Sequence, residues 1–181
     1  GKKILKNLKF TKNKTIISFI STIKLKELKI LTNRNAKIVR AIPLPPISIM
    51  KGPIPLFPKN NKVKKFFNNI GDSIETNDEP SSLNFWATSS LMAPYYEMLH
   101  GVAKWLQKKG LNKLYAQKYV VSLFSALSDA AVMRSNKDLK SLVKTSQTPK
   151  GLNEETLNFL KKKGFYKQLN LSLEKILKRL K

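Results

Sequence analysis

The sequence predicts a chain in two parts, with mixed α/β structure over residues 1–80 followed by all-α structure over residues 81–181. Short β-branched apolar runs, separated by proline and glycine, dominate the first part, and such runs are typical of strands. From about Pro80 the apolar residues recur at three- and four-residue spacing, which is typical of amphipathic helices. A length of 181 residues with 41% hydrophobic residues is enough to bury a core and excludes a wholly disordered chain.

The elements of the first part follow from the positions of apolar, proline and glycine residues. Thr15–Ser21 (TIISFIS) is nearly continuous in apolar residues, so we expect a strand that is covered on both faces. Proline lacks the backbone N–H, so the proline-rich residues 43–58 predict extended chain or an edge strand. The other predicted elements are a helix end at 3–9, a helix at 25–31, a strand at 36–42, a short helix at 63–70 stopped by Gly71, and a strand at 73–76.

The second part predicts only helices, whose ends are marked by asparagine caps and glycine stops. Asn112 and Asn153 stand where a helix N-cap is expected, and Gly110 and Gly164 stand where a left-handed C′ residue is expected. The predicted helices cover residues 94–109, 112–133, about 139–143, 153–163 and 165–180. Residues 145–151 form a loop directly before a helix start, where backbone N–H groups favour an anion; an ordinary capped turn is the alternative.

The β-α-β order of residues 1–80 predicts the closing end of a doubly wound, Rossmann-like domain. The glycine-rich phosphate turn of such domains, G-x-G-x-x-G, does not occur in this sequence. We therefore expect either that the gene product begins further upstream or that the chain is a remnant. No repeat of solenoid length is evident.

Composition excludes several classes of site. The sequence has no cysteine, so it has no disulfide scaffold, thiolate zinc site or cysteine nucleophile, and we predict no metal site. A Ser-His pair would have to use His100, which is the single histidine. No apolar run reaches the length of a membrane span, and no signal peptide is visible, so we expect a cytoplasmic protein without membrane contact.

The formal net charge of +24 raises the question of nucleic-acid binding. The basic residues are 31 lysines and 4 arginines spread along the whole chain, whereas groove binders concentrate charge on one face and favour arginine. Abundant Lys, Asn and Ile are also what A/T-rich codons produce. The sequence therefore does not predict nucleic acid as a partner, although we expect salt-dependent adsorption to anions.

Three segments of the sequence carry a resemblance: Lys37-Ile-Val-Arg-Ala-Ile-Pro43, the loop Thr148-Pro-Lys-Gly151, and Leu160-Lys-Lys-Lys-Gly-Phe165. In their order and spacing they resemble pyrroline-5-carboxylate reductases. The resemblance covers nearly the whole chain and the C-terminal two thirds of the family. It implies part of a Rossmann-like domain followed by a helical dimerisation domain, like the second domain of 6-phosphogluconate dehydrogenases. It also implies a homodimer or higher oligomer.

The resemblance also implies an activity and its site residues. Such enzymes are oxidoreductases of proline biosynthesis that reduce a cyclic imine to a cyclic amino acid with NADP or NAD. Asn153 aligns with the family threonine whose hydroxyl contacts the imine, so it is the candidate catalytic residue. The resemblance further implies substrate binding by Thr148, Lys150, Gly151 and Ser90, and cofactor binding by Ser21, Thr22 and Pro43.

The chain departs from the family pattern at the same site. Leu44 stands where the family has asparagine, Leu91 and Ala93 stand where it has glycines, and Asn153 replaces threonine. Lys150 adds a charge beside a loop that otherwise uses N–H groups for a carboxylate. We therefore expect a reductase with an altered small-molecule substrate; the alternative is a non-catalytic dimeric relative with a binding or structural role.

Overall fold

The computed structural model describes residues 2–11, 13–32, 36–136 and 138–181. These residues form four strands, nine α-helices and one 3-10 helix at Pro45–Ile49. The strands are β1 (Thr15–Ser18), β2 (Lys37–Ala41), β3 (Pro53–Phe57) and β4 (Asp72–Glu75). The helices are α1 (Lys2–Lys6), α2 (Leu25–Leu31), α3 (Asn61–Phe67), α4 (Glu79–Ser89), α5 (Met92–Lys108), α6 (Lys113–Val132), α7 (Lys140–Thr145), α8 (Leu152–Lys162) and α9 (Phe165–Leu180).

The chain divides into two compact units. Unit 1 comprises residues 1–89 together with 173–181, and unit 2 comprises residues 90–172. Unit 1 contains the sheet, α1 to α4 and the second half of α9, and the secondary structure of the described residues of unit 2 is helical. An α/β part followed by an all-α part, as the sequence predicts, is therefore the observed order.

The sheet of unit 1 has the strand order β1-β2-β3-β4. β1 and β2 are parallel, as are β3 and β4, whereas β2 and β3 are antiparallel. The carboxyl ends of β1 and β2 therefore lie at one edge, and those of β3 and β4 at the opposite edge. β1 lies at the end of this sheet. Its Ile16 packs against the core on one face and its Ile17 against the core on the other, so β1 is covered on both faces as predicted, although both side chains stay partly exposed.

β3 is an interior strand despite two prolines, so residues 53–57 are extended as predicted, but the alternative of an edge strand was wrong. Residues 45–49 form the 3-10 helix instead of extended chain. The carbonyls of Gly52 and Leu56 accept hydrogen bonds from Asp72 and Thr76, so alternate residues of β3 face β4. Pro53 and Pro55 lie between them and face the other way. On that side β2 pairs only with Leu56 and Phe57, so the missing N–H groups interrupt no ladder bond.

The core of unit 1 lies on both faces of the sheet. Alternating residues of β2 place Ile38 on one face and Val39 and Ala41 on the other. α2 packs on the Ile38 face through its buried leucines. α3 packs on the opposite face, where Phe67 joins the apolar residues of β2 and β3. Both helices thus bury one apolar stripe, as their sequence spacing predicts.

Gly71 has a different role from the predicted helix stop. α3 ends at Phe67, and a Cβ atom at Gly71 would lie 2.7 Å from the Gly52 carbonyl oxygen. Glycine is required here because the start of β3 and the start of β4 approach closely, not because a helix needs a left-handed end.

The helices of the second part mostly follow their predicted ends. Gly110 and Gly164 have φ values of 95° and 74° after α5 and α8, and the Asn112 side chain accepts the N–H of Leu114 at 2.8 Å. α9 has the predicted bounds. A break at residues 90–91 separates α4 from α5, and the residue spacing alone did not predict it. α5 packs on α6, and the side chains buried there are those of Ala103, Ala116 and Val120.

Two apolar rows in unit 2 are exposed to solvent. The α6 row is Tyr115, Tyr119, Leu123 and Leu127, which follow each other at four-residue spacing and are 40–68% exposed. The α5 row is Tyr95, Met98, Val102 and Trp105, which are 37–57% exposed. Large apolar surfaces of this kind mark interaction sites in folded proteins. Trp86, by contrast, is buried in unit 1, as expected of a core aromatic residue.

Among the residues that the structure describes, no helix combines the length and the apolar character needed to cross a bilayer.

Candidate functional site

The loop before α8 forms a tight turn over Thr148–Gly151. The Gly151 N–H donates to the Thr148 carbonyl at 2.8 Å, which closes a four-residue turn. Pro149 occupies the second position, and Lys150 occupies the third with a left-handed φ of 60°. This pattern belongs to type II turns, whose third position favours glycine.

Gly151 is required by the close packing of the same turn. A Cβ atom there would lie 2.2 Å from Thr148 Oγ1 and 2.9 Å from the Thr148 carbonyl oxygen. This single turn therefore brings together three of the predicted substrate-binding residues, namely Thr148, Lys150 and Gly151.

Asn153 lies inside the first turn of α8 and does not cap it, so the predicted cap was wrong. Gly151 is the N-cap, and the Asn153 amide Nδ2 donates to the Ser146 carbonyl at 2.8 Å. The carboxylate of Glu154, in the first turn of α8, accepts the Lys150 N–H at 2.7 Å. One backbone N–H group that this loop could donate to an anion therefore already donates to the Glu154 carboxylate.

Ser90 lies outside this turn, in the break between α4 and α5, where it is exposed. Its assignment to the substrate site stays a prediction.

Ser21, Thr22 and Pro43 lie at the carboxyl edge of β1 and β2. Ser21 and Thr22 follow β1, and Pro43 follows β2, which is parallel to β1. Ser21 and Pro43 are half-buried and Thr22 is exposed. In open α/β sheets, ligands bind at the carboxyl ends of parallel strands, so these three residues occupy a suitable edge for a cofactor.

A buried ion pair lies at the same edge. Arg40 of β2 is fully buried, and its Nη1 donates to Glu79 Oε1 at the start of α4. Arg40 Nη2 donates to the Ser21 carbonyl at 2.8 Å, and the guanidinium lies 4.1 Å from the centre of the Trp86 ring. Burial lowers the pKa of Arg40 from its ordinary value, and Glu79 opposes that shift. The arginine remains charged, because its ordinary pKa is so high.

Glu79 also accepts the Leu25 N–H at 2.7 Å, at the start of α2. The adjacent acidic residues Asp78 and Glu79 are expected from the sequence to be caps and solvent charges. Asp78 does cap α4, accepting the Ser81 N–H at 2.7 Å, and Glu79 accepts the first N–H of α2. Glu79 also pairs with the buried Arg40, so it is not a solvent charge.

Sequence reasoning did not identify Arg40, Glu79 and Trp86 as one cluster. The available signal was a charged residue inside the apolar strand KIVRA, because a buried charge needs a partner. Its partner lies 39 positions away, which no local pattern indicates.

His100 lies on α5 and is exposed, beside a groove of about 330 Å³ between α5 and α6. Leu99 and Val120 line that groove with it. Among the residues that the structure describes, no serine lines this groove, so a Ser-His pair does not form there.

Comparison with known proteins gives a family and several similar structures. A model of the family described as pyrroline-5-carboxylate reductase dimerisation matches residues 85–181. No curated protein sequence matches the chain.

Three solved structures share the fold over 99% of this chain. They are a pyrroline-5-carboxylate reductase from Coxiella burnetii (18% identity, TM-score 0.79, 67% of that chain covered), the Plasmodium falciparum pyrroline carboxylate reductase with NADP bound (21%, 0.84, 71%), and the 1-pyrroline-5-carboxylate reductase from Streptococcus pyogenes (20%, 0.84, 71%). At these identities the likeness shows the fold, and it confirms the predicted order of a Rossmann-like end followed by a helical domain.

The family match extends over more than half of the chain, from the middle of α4 to the end of α9, and includes the exposed rows of α5 and α6 and the turn before α8. The chain therefore belongs to the pyrroline-5-carboxylate reductase dimerisation family.

Proposed function

We propose that the chain is a subunit of a homodimeric NAD(P)H-dependent reductase that acts on the C=N bond of a cyclic imine. The observation that carries this proposal is the match of residues 85–181 to the dimerisation family. The fold likeness to three reductases over 99% of the chain supports it. The domain boundary at residues 80 and 81 and a cytoplasmic location belong to the same proposal.

The cofactor would lie at the carboxyl edge of β1 and β2. Ser21 and Thr22 offer hydroxyl groups there, and Pro43 follows β2 at the same edge. These residues fit one end of a dinucleotide, whereas the sequence offers no glycine-rich turn for the pyrophosphate. A reduced nicotinamide supplies a hydride when bound, so the protein has to orient the imine rather than provide an acid–base pair.

The turn before α8 would orient the substrate. Its type II geometry fixes Thr148 and Gly151, and Asn153 stands next to them with an amide that donates hydrogen bonds. The Glu154 carboxylate already accepts the Lys150 N–H, so this turn disfavours a second carboxylate at the same group. We therefore propose a cyclic imine that differs from pyrroline-5-carboxylate.

A non-catalytic dimeric relative is the second candidate, and the same contacts favour it. Asn153 donates to the Ser146 carbonyl, and Glu154 accepts from Lys150, so both side chains already have partners within the loop. A turn whose groups bond each other can be purely structural.

The activity test is oxidation of NADPH or NADH with a panel of cyclic imines that includes pyrroline-5-carboxylate. We expect turnover of a related imine and poor turnover of pyrroline-5-carboxylate itself. Asn153→Thr should change the preference among imines, whereas the same change at Asn158, an exposed residue further along α8, should not. Absence of turnover with every imine would favour the non-catalytic candidate.

The dimer would form through the α5 and α6 rows. Their aromatic and leucine side chains are exposed in one subunit, and a second copy offers a self-complementary apolar surface. We expect sedimentation at micromolar concentration to give twice the mass of one chain.

A charge in the α6 row should separate the subunits. Tyr119→Lys is expected to give monomers, because it places a charge in an apolar interface. Ser125→Lys adds the same charge at an exposed position on another side of α6 and should leave the dimer intact. A stable wild-type monomer would contradict the proposed assembly.

A further inference from the structure

A single carboxylate oxygen joins three parts of unit 1. Glu79 Oε1, at the start of α4, accepts hydrogen bonds from Leu25 N–H of α2 and from Arg40 Nη1 of β2. Arg40 in turn donates through Nη2 to the Ser21 carbonyl. The turn between β1 and α2 is therefore bonded at both ends, at Ser21 through Arg40 and at Leu25 through Glu79.

Burial makes this arrangement obligatory. Arg40 is fully buried and Glu79 is 23% exposed, so solvent cannot replace a lost partner of the arginine. Trp86, two helical turns after Glu79, lies against the guanidinium, so α4 contacts Arg40 at two points. A buried charge that loses its partner is strongly destabilising, so Arg40 and Glu79 act as one unit.

We infer that Arg40 and Glu79 are positioning residues that fix the β1–α2 turn, with Ser21 and Thr22, from the start of α4. Neither residue needs to touch a ligand for this role. The inference deepens the proposed function, because Ser21 and Thr22 matter to catalysis only if they bind the cofactor. It assigns a buried ion pair the task of setting cofactor affinity.

Amide hydrogen exchange of the full chain tests the positioning without any ligand. Glu79→Gln removes the charge, so exchange of the Leu25 amide should accelerate at least about tenfold, as expected when a charge-assisted hydrogen bond is lost. Loss of stability also accelerates exchange elsewhere in unit 1, so the test compares Leu25 with β3, and exchange at Leu25 should accelerate more than exchange in β3. Equal acceleration at both, or no acceleration at Leu25, would overturn the inference.

Glu75→Gln is the matched control. Glu75 also accepts a backbone N–H, that of Asn60 at 3.0 Å, and pairs with a cation, Lys64, at 3.2 Å. Its bonds within the described part of the chain are to Asn60 and Lys64 rather than to the β1–α2 turn, and Lys64 is 42% exposed. This variant should leave exchange at Leu25 unchanged; acceleration there would show that any lost carboxylate loosens the turn.

A double variant separates positioning from stability. Arg40→Met with Glu79→Gln removes both buried charges, so it should regain stability that the single Glu79→Gln change loses, while Leu25 exchange stays fast. Restored slow exchange in the double variant would mean that the pair is merely structural.

The reductase assay tests whether the positioning of the β1–α2 turn affects cofactor binding. Glu79→Gln should raise KM for NADPH by about tenfold, the factor for one weakened contact, with KM for the imine and kcat little changed. An equal effect on the KM of both substrates would refute a role in cofactor positioning. If wild type turns over no imine, the proposed function fails while the exchange result still decides the positioning.

Discussion

Lys150 holds a left-handed backbone conformation that glycine would adopt without strain. Its φ is 60°, at the third position of the turn that precedes α8. A residue with a Cβ atom is disfavoured there because Cβ approaches the following carbonyl oxygen. We predict that Lys150→Gly stabilises unit 2.

The magnitude follows from two opposing terms. Relief of the left-handed conformation gains about 1–2 kcal/mol, and the extra backbone entropy of glycine in the unfolded chain costs about 0.5–1 kcal/mol. The Gly151 N–H bond to Thr148 and the Glu154 contact use backbone groups of the turn, so both survive the change. The net gain in the free energy of unfolding should be about 0.5–1 kcal/mol.

Urea unfolding at fixed protein concentration measures this gain. The chain has two tryptophans, of which Trp105 lies in unit 2. In a Trp86→Phe background the tryptophan fluorescence therefore comes from unit 2 alone. The midpoint should rise by about 0.2–1 M for an ordinary denaturant slope.

Two controls isolate the backbone effect from the loss of charge. Lys150→Ala removes the same charge but keeps a Cβ atom, so it should give little of the gain. Lys162→Gly removes a charge from the last residue of α8, which has no left-handed conformation to relieve, so it should not stabilise unit 2. Equal midpoints for Lys150→Gly and Lys150→Ala would refute the strain argument.

Three further predictions concern the same turn and the cofactor edge. Gly151→Ala should destabilise unit 2 by about 1–3 kcal/mol, because its Cβ would overlap Thr148; a midpoint unchanged from wild type would contradict this packing. Leu44→Asn combined with Asn153→Thr should shift the imine preference towards pyrroline-5-carboxylate more than either change alone, since each adds back a polar group of the family pattern; a wild-type rate of about 10 per second on pyrroline-5-carboxylate would refute this reasoning. The 181-residue chain should bind NADPH more weakly than micromolar, because its sequence has no glycine-rich phosphate turn; calorimetry showing micromolar affinity would contradict this expectation.

Local patterns predicted most of the elements. α2 and α9 have the predicted bounds because their apolar spacing and end residues agree. Gly110 and Gly164 end their helices as expected, because a left-handed end is a local requirement that glycine meets.

Predictions failed where distant contacts decide the structure. The prolines of β3 suggested an edge strand, but their missing N–H groups face a side where the neighbouring strand has already ended. Gly71 resembled a helix stop, whereas its role comes from the approach of Gly52 across the sheet.

Of the candidate site residues, those joined by local contacts could be predicted from the sequence, and those joined by distant contacts could not. Thr148, Lys150 and Gly151 could be grouped from the sequence, because one turn contains them all. The bond between Arg40 and Glu79 joins residues that are far apart in sequence and became visible only when β2 and α4 were placed together.

The exposed apolar rows of α5 and α6 belong to a chain with a net charge of +24. This combination determines whether added salt strengthens or weakens the self-association of the chain. Two like-charged copies repel each other, and added salt screens that repulsion over a Debye length of about 8 Å at physiological ionic strength. Association through apolar rows should therefore tighten as ionic strength rises. Binding to a polyanion would weaken over the same range, because salt competes with lysine for phosphate. A single salt titration consequently distinguishes self-association from adsorption to nucleic acid, by the direction of the slope alone.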